Sequence, residues 1–330
     1  MSGPRWYKGP VTDAEFLLNL WSGPFGWIAA ALWGAAWGSF FNVVICRVPA
    51  GESVVRPPSH CRACKTPIAW YDNIPLLSFL LLRGRCRNCG DTFSWRYFLT
   101  ELLICLLAVL MHYLFVVKGT GPVGLRLAQL TITSLFSGLL VAIAAIDLDT
   151  LRIPNVITYP GIPVFALLSL LMGHPRWYDG LIGAVAGYLV IRLLADGYEL
   201  LTGRLGMGYG DAKLLAIIGG LLGWQALLPT LFLASFQGSL IGITALVIAR
   251  RGAPPEDEAE HEAEEPAKPK EDPEGEEDEE DEDEEYALSR EANRASLRHA
   301  RIPFGPFISL AALEILVCQD YLSVLFPYLY

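Results

Sequence analysis

The chain has 330 residues, 53% hydrophobic and 18% charged, with a mean hydropathy of +0.37. That is more apolar material than a water-soluble globule hides, and it excludes a secreted disulfide scaffold, a collagen-like chain and a soluble nucleic-acid binder. The net charge of −10 conceals two opposite regions: residues 256–285 hold 20 Asp and Glu against two Lys, a local −18, so the remainder sums to +8. The chain reads as an all-α polytopic membrane protein whose partner is the lipid bilayer, with one acidic insert.

Charge-poor apolar runs mark the spans, because a helix rising 1.5 Å per residue needs roughly 20 residues to cross the hydrocarbon core. After an N-terminal segment, 1–24, the first is 25–46. A cytoplasmic domain, 47–98, follows. The spans of a core region, 99–249, come next at 99–117, 127–146, 156–172, 180–195, 212–222 and 226–249. A polar segment, 250–300, precedes the last run, 304–325, within 301–330. This gives about eight transmembrane helices. A cleaved signal peptide is the competing reading of the first run, but the preceding segment is long and no small-residue cleavage site follows. Loops on one side of an eight-span chain (46–98, 147–155, 199–213 and 250–303) hold 19 Lys and Arg, against five in the opposite loops and termini. Basic residues resist translocation, so the larger set is expected in the cytoplasm. Segment 250–300, rich in Pro, Ala, Glu and Asp and without an aromatic residue before Tyr286, is expected to be disordered.

Cys46, Cys105 and Cys318 lie in or beside apolar runs, where a thiol behaves as a small hydrophobe. Cys61, Cys64, Cys86 and Cys89 form two Cys-x2-Cys pairs in a polar stretch. Four thiolates suit a tetrahedral structural Zn2+, and a reducing compartment disfavours disulfides; redox chemistry or unmetallated thiols is the other reading. His60, next to Cys61, is not needed as a ligand. A domain this small needs the metal as its staple.

Asp147 ends an apolar run and is followed by Pro154 and Asn155, a turn signal, so it belongs at a helix end near the interface. Asp211 closes Gly206-Met207-Gly208-Tyr209-Gly210-Asp211 and precedes an apolar helix. The alternating glycines permit close backbone approach or unusual conformations, and they leave Asp211 near a helix N-terminus. Ionisable groups at membrane depth usually serve a function. Two carboxylates sharing one proton can activate water and protonate an oxyanion, the chemistry of an aspartic dyad; two unrelated interfacial aspartates is the plainer alternative. A nucleotide-binding reading of the glycines fails, since no strand precedes them and no Gly-Lys-Ser/Thr follows.

Lys213 is expected as an interfacial anchor or a neighbour tuning Asp211. Glu101, inside the second run, is either a functional polar contact or a snorkelling carboxylate. Arg192 and Asp196, four apart, neutralise one another.

These motifs resemble the type IV prepilin peptidases, membrane aspartyl proteases with a Gly-x-Gly-Asp element, here Gly208 to Asp211 with Asp147. The resemblance extends to Gly38-Ser39-Phe40-Phe41-Asn42, Gly51-Glu52-Ser53, Pro57-Pro58-Ser59-His60-Cys61, Trp70-Tyr71-Asp72-Asn73-Ile74-Pro75, Arg96-Tyr97 with Glu101, and Pro303-Phe304-Gly305-Pro306. It implies a multi-pass enzyme of the bacterial inner membrane. Such an enzyme cuts leaders from prepilins or type II secretion pseudopilins at the cytoplasmic face, with Asp147 and Asp211 catalytic. Asp149 is the reserve for the first position, with an auxiliary or capping role preferred. The resemblance also implies N-methylation of the new terminus with S-adenosylmethionine, for which Glu52, Asp72 and Glu101 are the candidate contacts. Two alternatives are a peptidase that does not methylate and a non-catalytic zinc-domain scaffold of a secretion apparatus. The acidic insert departs from the usual short connection and leaves both aspartate motifs intact.

Overall fold

The computed structural model describes residues 13–174, 176–203, 208–251 and 303–325. The segment expected to be disordered, apart from Arg250 and Arg251, lies outside the described residues. The chain divides into two units. The second, 236–303, contributes little beyond the far half of one helix to the described residues, and the first holds all the other elements.

Helix α1 (Asp13–Ser22) leads into α2 (Pro24–Arg47), which opens with proline in its first turn, where the missing N–H costs nothing. The segment between α2 and the next long helix carries a short α3 (Leu77–Leu81) and two isolated β-bridges, His60 with Pro67 and Arg85 with Thr92. Each bridge closes the knuckle around one cysteine pair. Ser94 caps α4 (Trp95–Met111) by accepting from Arg96 N, and one π-helical turn extends it to Val117. The long α5 (Val123–Thr150) ends at Leu151, whose left-handed φ of 53° directs its N–H to the Asp147 carbonyl. Then come α6 (Asn155–Leu168), α7 (Asp179–Thr202), α8 (Tyr209–Leu222), α9 (Leu227–Arg251) and α10 (Gly305–Leu325).

Every expected apolar run is helical, but not every one is a span. Five helices, α2, α4 with its π turn, α5, α7 and the one covering Trp224–Ala245, are long and apolar enough to cross a membrane. Five of the eight expected spans are thus matched by length and composition among the described residues, and the least span-like of the others is α8. Its 14 residues reach only about 21 Å, short of a hydrocarbon core of about 30 Å, and every residue from 214 to 222 is buried. A helix apolar all round is enclosed by protein, and α6, α7 and α10 surround this one. The apolar stretch Asn155–Leu171 also falls short of the spanning length, whereas α10 has 21 residues. By contrast α7 leaves Val185, Leu189, Leu193 and Leu194 exposed, the pattern of a helix facing lipid.

The closest packing is α7 on α8. A Cβ on Gly183 would lie 2.0 Å from the Gly219 carbonyl oxygen, so only two glycines allow the backbones to meet there. The main core, with Phe136, Leu140, Ile143, Leu214, Ile217 and Ile308, joins α5, α8 and α10. Because α10 packs on both α5 and α8, it bridges the helices that carry the two aspartates.

Candidate active site and metal centre

Asp147 lies in the last turn of α5 and Asp211 in the first turn of α8, respectively 5% and 9% exposed. The two carboxylates are close enough to feel one another's charge. Asp147 Oδ2 accepts a buried 3.1 Å hydrogen bond from Gly305 N, and Asp211 accepts from the Gly208 amide. Gly208 has an ordinary φ of −76°, so an unusual backbone is not what that position needs; Gly206 lies outside the described residues. At Gly210 the constraint is proximity: a Cβ would lie 3.0 Å from Ile153 Cβ.

Charged and aromatic groups brace this end of α8. The Lys213 ammonium donates to Asn155 Oδ1 and sits 4.6 Å from the Tyr159 ring, tying α8 to α6. Arg192 lies 4.3 Å from the Tyr209 ring while pairing with Asp196 at 3.2 Å. Asp149 points elsewhere, its two oxygens each 2.9 Å from Arg96 Nη2 at the start of α4.

Cys61, Cys64, Cys86 and Cys89 gather with their sulfurs all within 4.8 Å of one another. The Cys61 and Cys89 sulfurs are 3.8 Å apart. Tetrahedral coordination at about 2.3 Å places sulfurs roughly 3.8 Å apart, so the cluster fits a metal such as zinc. Hydrogen bonding with Thr66 holds the Cys64 thiol down at about 6. The Asp91 amide lowers Cys89, but burial and the neighbouring thiols win and push it up to about 12. Four thiolates this close need a cation to ionise together. His60 bonds the Pro58 carbonyl through Nδ1 and stands outside the cluster.

Between this module and helices α2 and α4 lies a cavity of about 780 Å³ whose wall includes Glu52, Asp72 and Glu101. Glu101 Oε2 accepts from Leu76 N at 2.8 Å, and Asn42 Nδ2 approaches Oε1 at 3.4 Å while donating to the Tyr97 carbonyl. The Arg87 guanidinium donates to both oxygens of Asp72 and holds its carboxyl below the usual range. The structure thus groups Asp147 with Asp211, and the three other acids around a separate cavity. The sequence motifs include Asn42 and Arg96 but assign them no role, and they leave out Ile153. They include Gly305 without a role, because its contact with Asp147 spans 158 positions.

Residues 32–115 match the bacterial peptidase A24 N-terminal domain, and residues 134–243 match the type IV leader peptidase family. A prepilin leader peptidase/N-methyltransferase of Myxococcus xanthus is 35% identical over 92% of this chain and 94% of its own length. Proteins of the same name from Aeromonas hydrophila and Klebsiella pneumoniae are each 43% identical, over 66% and 64% of this chain and 72% and 92% of their own lengths. No solved structure matches the chain significantly. With one relative aligned along nearly its whole length and both domains recognised in order, the chain belongs to the prepilin leader peptidase/N-methyltransferase family.

Proposed function

We infer that this protein is a membrane aspartyl endopeptidase that removes the leader from type IV prepilins or type II secretion pseudopilins and then N-methylates the new terminus. The observation that carries the peptidase half is the meeting of two buried carboxylates, Asp147 and Asp211, contributed by helix ends distant in sequence. With one proton between them, the ionised acid takes a proton from water as that water attacks the scissile carbonyl. The protonated acid hydrogen-bonds the developing oxyanion, and a proton passes to the leaving amine as the bond breaks. The pair titrates as a unit. Gly208 and Gly210 support the turn, and Lys213 fixes the end of α8. The basic loops favour a site at the cytoplasmic face of the inner membrane.

For methyl transfer the reading centres on the cavity beside the cysteine module, whose volume falls in the usual range for small-molecule sites. S-adenosylmethionine, when bound, supplies an electrophilic methyl group on a sulfonium cation. Glu52, Asp72 and Glu101 are the carboxylates assigned to that cation and an incoming amino terminus, in a mixed-charge wall that also holds Asp91, Arg47, Arg62, Lys65 and Arg85, with Asp72 partly matched by Arg87. Zn2+ held by Cys61, Cys64, Cys86 and Cys89 shapes the module that forms this wall and stays outside the chemistry.

The test is incubation of the purified membrane protein with one prepilin, with and without methyl donor, reading cleavage on a gel and methylation by the mass of the mature N-terminus. Asp147→Asn and Asp211→Asn should each abolish cleavage while the protein still folds. Retained cleavage by either would overturn the dyad. Cleavage without a mass increment would leave a peptidase that does not methylate, and pilus assembly by both variants would favour the scaffold reading.

A further inference from the structure

We propose that Gly305 is a positioning residue of the peptidase centre, its backbone N–H and its missing side chain together setting the Asp147 carboxylate. The proposal rests on the reading of Asp147 and Asp211 as the catalytic pair. Gly305 is buried at the start of α10, and its N–H donates to Asp147 Oδ2 at 3.1 Å. The first N–H groups of a helix have no partner within it, so this donor is free to serve a carboxylate, and an anion is favoured at such a terminus. Among the described residues no other hydrogen bond reaches the Asp147 carboxylate. The bond from Gly305 N fixes the orientation of the Asp147 carboxylate through Oδ2. Pro306, next in the chain, has a fixed φ and stiffens the entry to α10, which holds the Gly305 amide in place.

The requirement for glycine is steric. A Cβ at position 305 would lie 2.5 Å from Asp147 Oδ2, 3.1 Å from its Cγ and 3.3 Å from Ile153 Cδ1. A carbon does not approach an oxygen to 2.5 Å without displacement, and the movable partner is the carboxylate itself. Any side chain at 305 therefore pushes Asp147 off its position. Ile153, which also abuts Gly210 next to Asp211, closes the other side. The same small volume links the end of α5, the loop after it, the start of α8 and the start of α10. That accounts for the Pro-Phe-Gly-Pro segment, for which dyad chemistry alone gives no use.

The experiment uses full-length protein in detergent or lipid. Gly305→Ala should lower kcat for leader cleavage about 100-fold, as expected for a misplacement of about 1 Å at the reacting centre, with KM for the prepilin unchanged. Methylation of pilin supplied already cleaved should be unaffected. Gly124→Ala is the same change in α5 where a Cβ meets nothing within 4 Å, and it should leave both activities unaltered. A second readout does not depend on turnover. Gly305→Ala should lower the thermal midpoint when Asp147 is present and leave it unmoved in an Asp147→Ala background, where the clash is gone. Unchanged kcat in Gly305→Ala, or an equal loss of midpoint in both backgrounds, overturns the proposal. Should Gly305→Ala not fold, recovery of folding in the double variant supports it and failure to recover overturns it. Activity in Asp147→Asn would instead sink the dyad. An inactive Asp147→Asn beside an active Gly305→Ala would sink this inference alone.

Discussion

Arg96 Nη2 donates to both carboxylate oxygens of Asp149 at 2.9 Å, joining the first turn of the second long apolar helix to the last turn of the helix that carries Asp147. This pair turns the Asp149 carboxylate toward Arg96. Both partners are exposed, with side chains 64% and 41% accessible, and exposed pairs contribute only about 0.2–1 kcal/mol. Asp149→Asn should therefore retain cleavage within a few-fold and lower the thermal midpoint slightly, the difference fading in high salt. Initial rates of prepilin cleavage for Asp149→Asn beside Asp147→Asn measure this directly; loss of activity in both would return Asp149 to the catalytic centre.

Removing the metal proposed for the four cysteines should separate the two activities. Cys61 is fully buried and its module has no extended core, so Cys61→Ser or exhaustive chelation should lose the bound metal, loosen the knuckles and collapse the cavity wall. Methylation should fall by at least about tenfold, the scale on which a disturbed metal site affects function. Cleavage should fall much less, because Asp147 and Asp211 stand on helices packed by their own core. Metal analysis, N-terminal mass and cleavage rate on the same preparation decide the matter.

The features legible in the sequence were those set by short-range pattern. The two Cys-x2-Cys pairs signalled a cluster because their spacing is local, and Asp147 and Asp211 stood out because charge is rare beside apolar runs. Long-range geometry was not legible. The run 212–222 looks like a membrane span from composition alone, yet α8 is enclosed by three other helices, and hydropathy does not distinguish burial in protein from burial in lipid. Lys213 has the pattern of an interfacial anchor, but its ammonium is held by Asn155, which lies 58 residues earlier. Of the glycines expected to permit close approach or unusual backbone, Gly210 is crowded by Ile153, while Gly208 has an ordinary φ and only ordinary contacts.

Asp72 provides a titration test of the cavity wall. Its hydrogen bonds from Arg87 lower its folded value below that of a free aspartate, about 3.9. A lowered carboxyl stabilises the fold above the unfolded value, and that contribution is lost as pH falls through the folded value. The ion pair is thus complete at neutral pH and persists below about pH 4. Arg87→Gln should move the Asp72 titration upward, read from the carboxyl carbon signal in isotope-labelled protein. The same variant should alter the affinity for methyl donor without changing leader cleavage; an unmoved titration would show that the pair does not form in solution.

The contact between α7 and α8 offers the most severe single change. Gly183 and Gly219 meet with their backbones in contact, and a Cβ on either would lie only 2.0–2.3 Å from the other's carbonyl oxygen. Neither atom is the flexible end of a side chain, so Gly183→Ala must push the helices apart. Overpacking of this kind costs about 1–3 kcal/mol, and it acts on the helix whose first turn holds Asp211. Gly183→Ala should lower the thermal midpoint by several degrees and reduce cleavage more than methylation, since the cavity proposed for methyl transfer is bounded by α2 and α4 and not by α7. Gly197→Ala, on the same helix with nothing within 4 Å, should do neither. Equal behaviour of the two variants in denaturation and cleavage would mean that the close approach of α7 and α8 does not place Asp211.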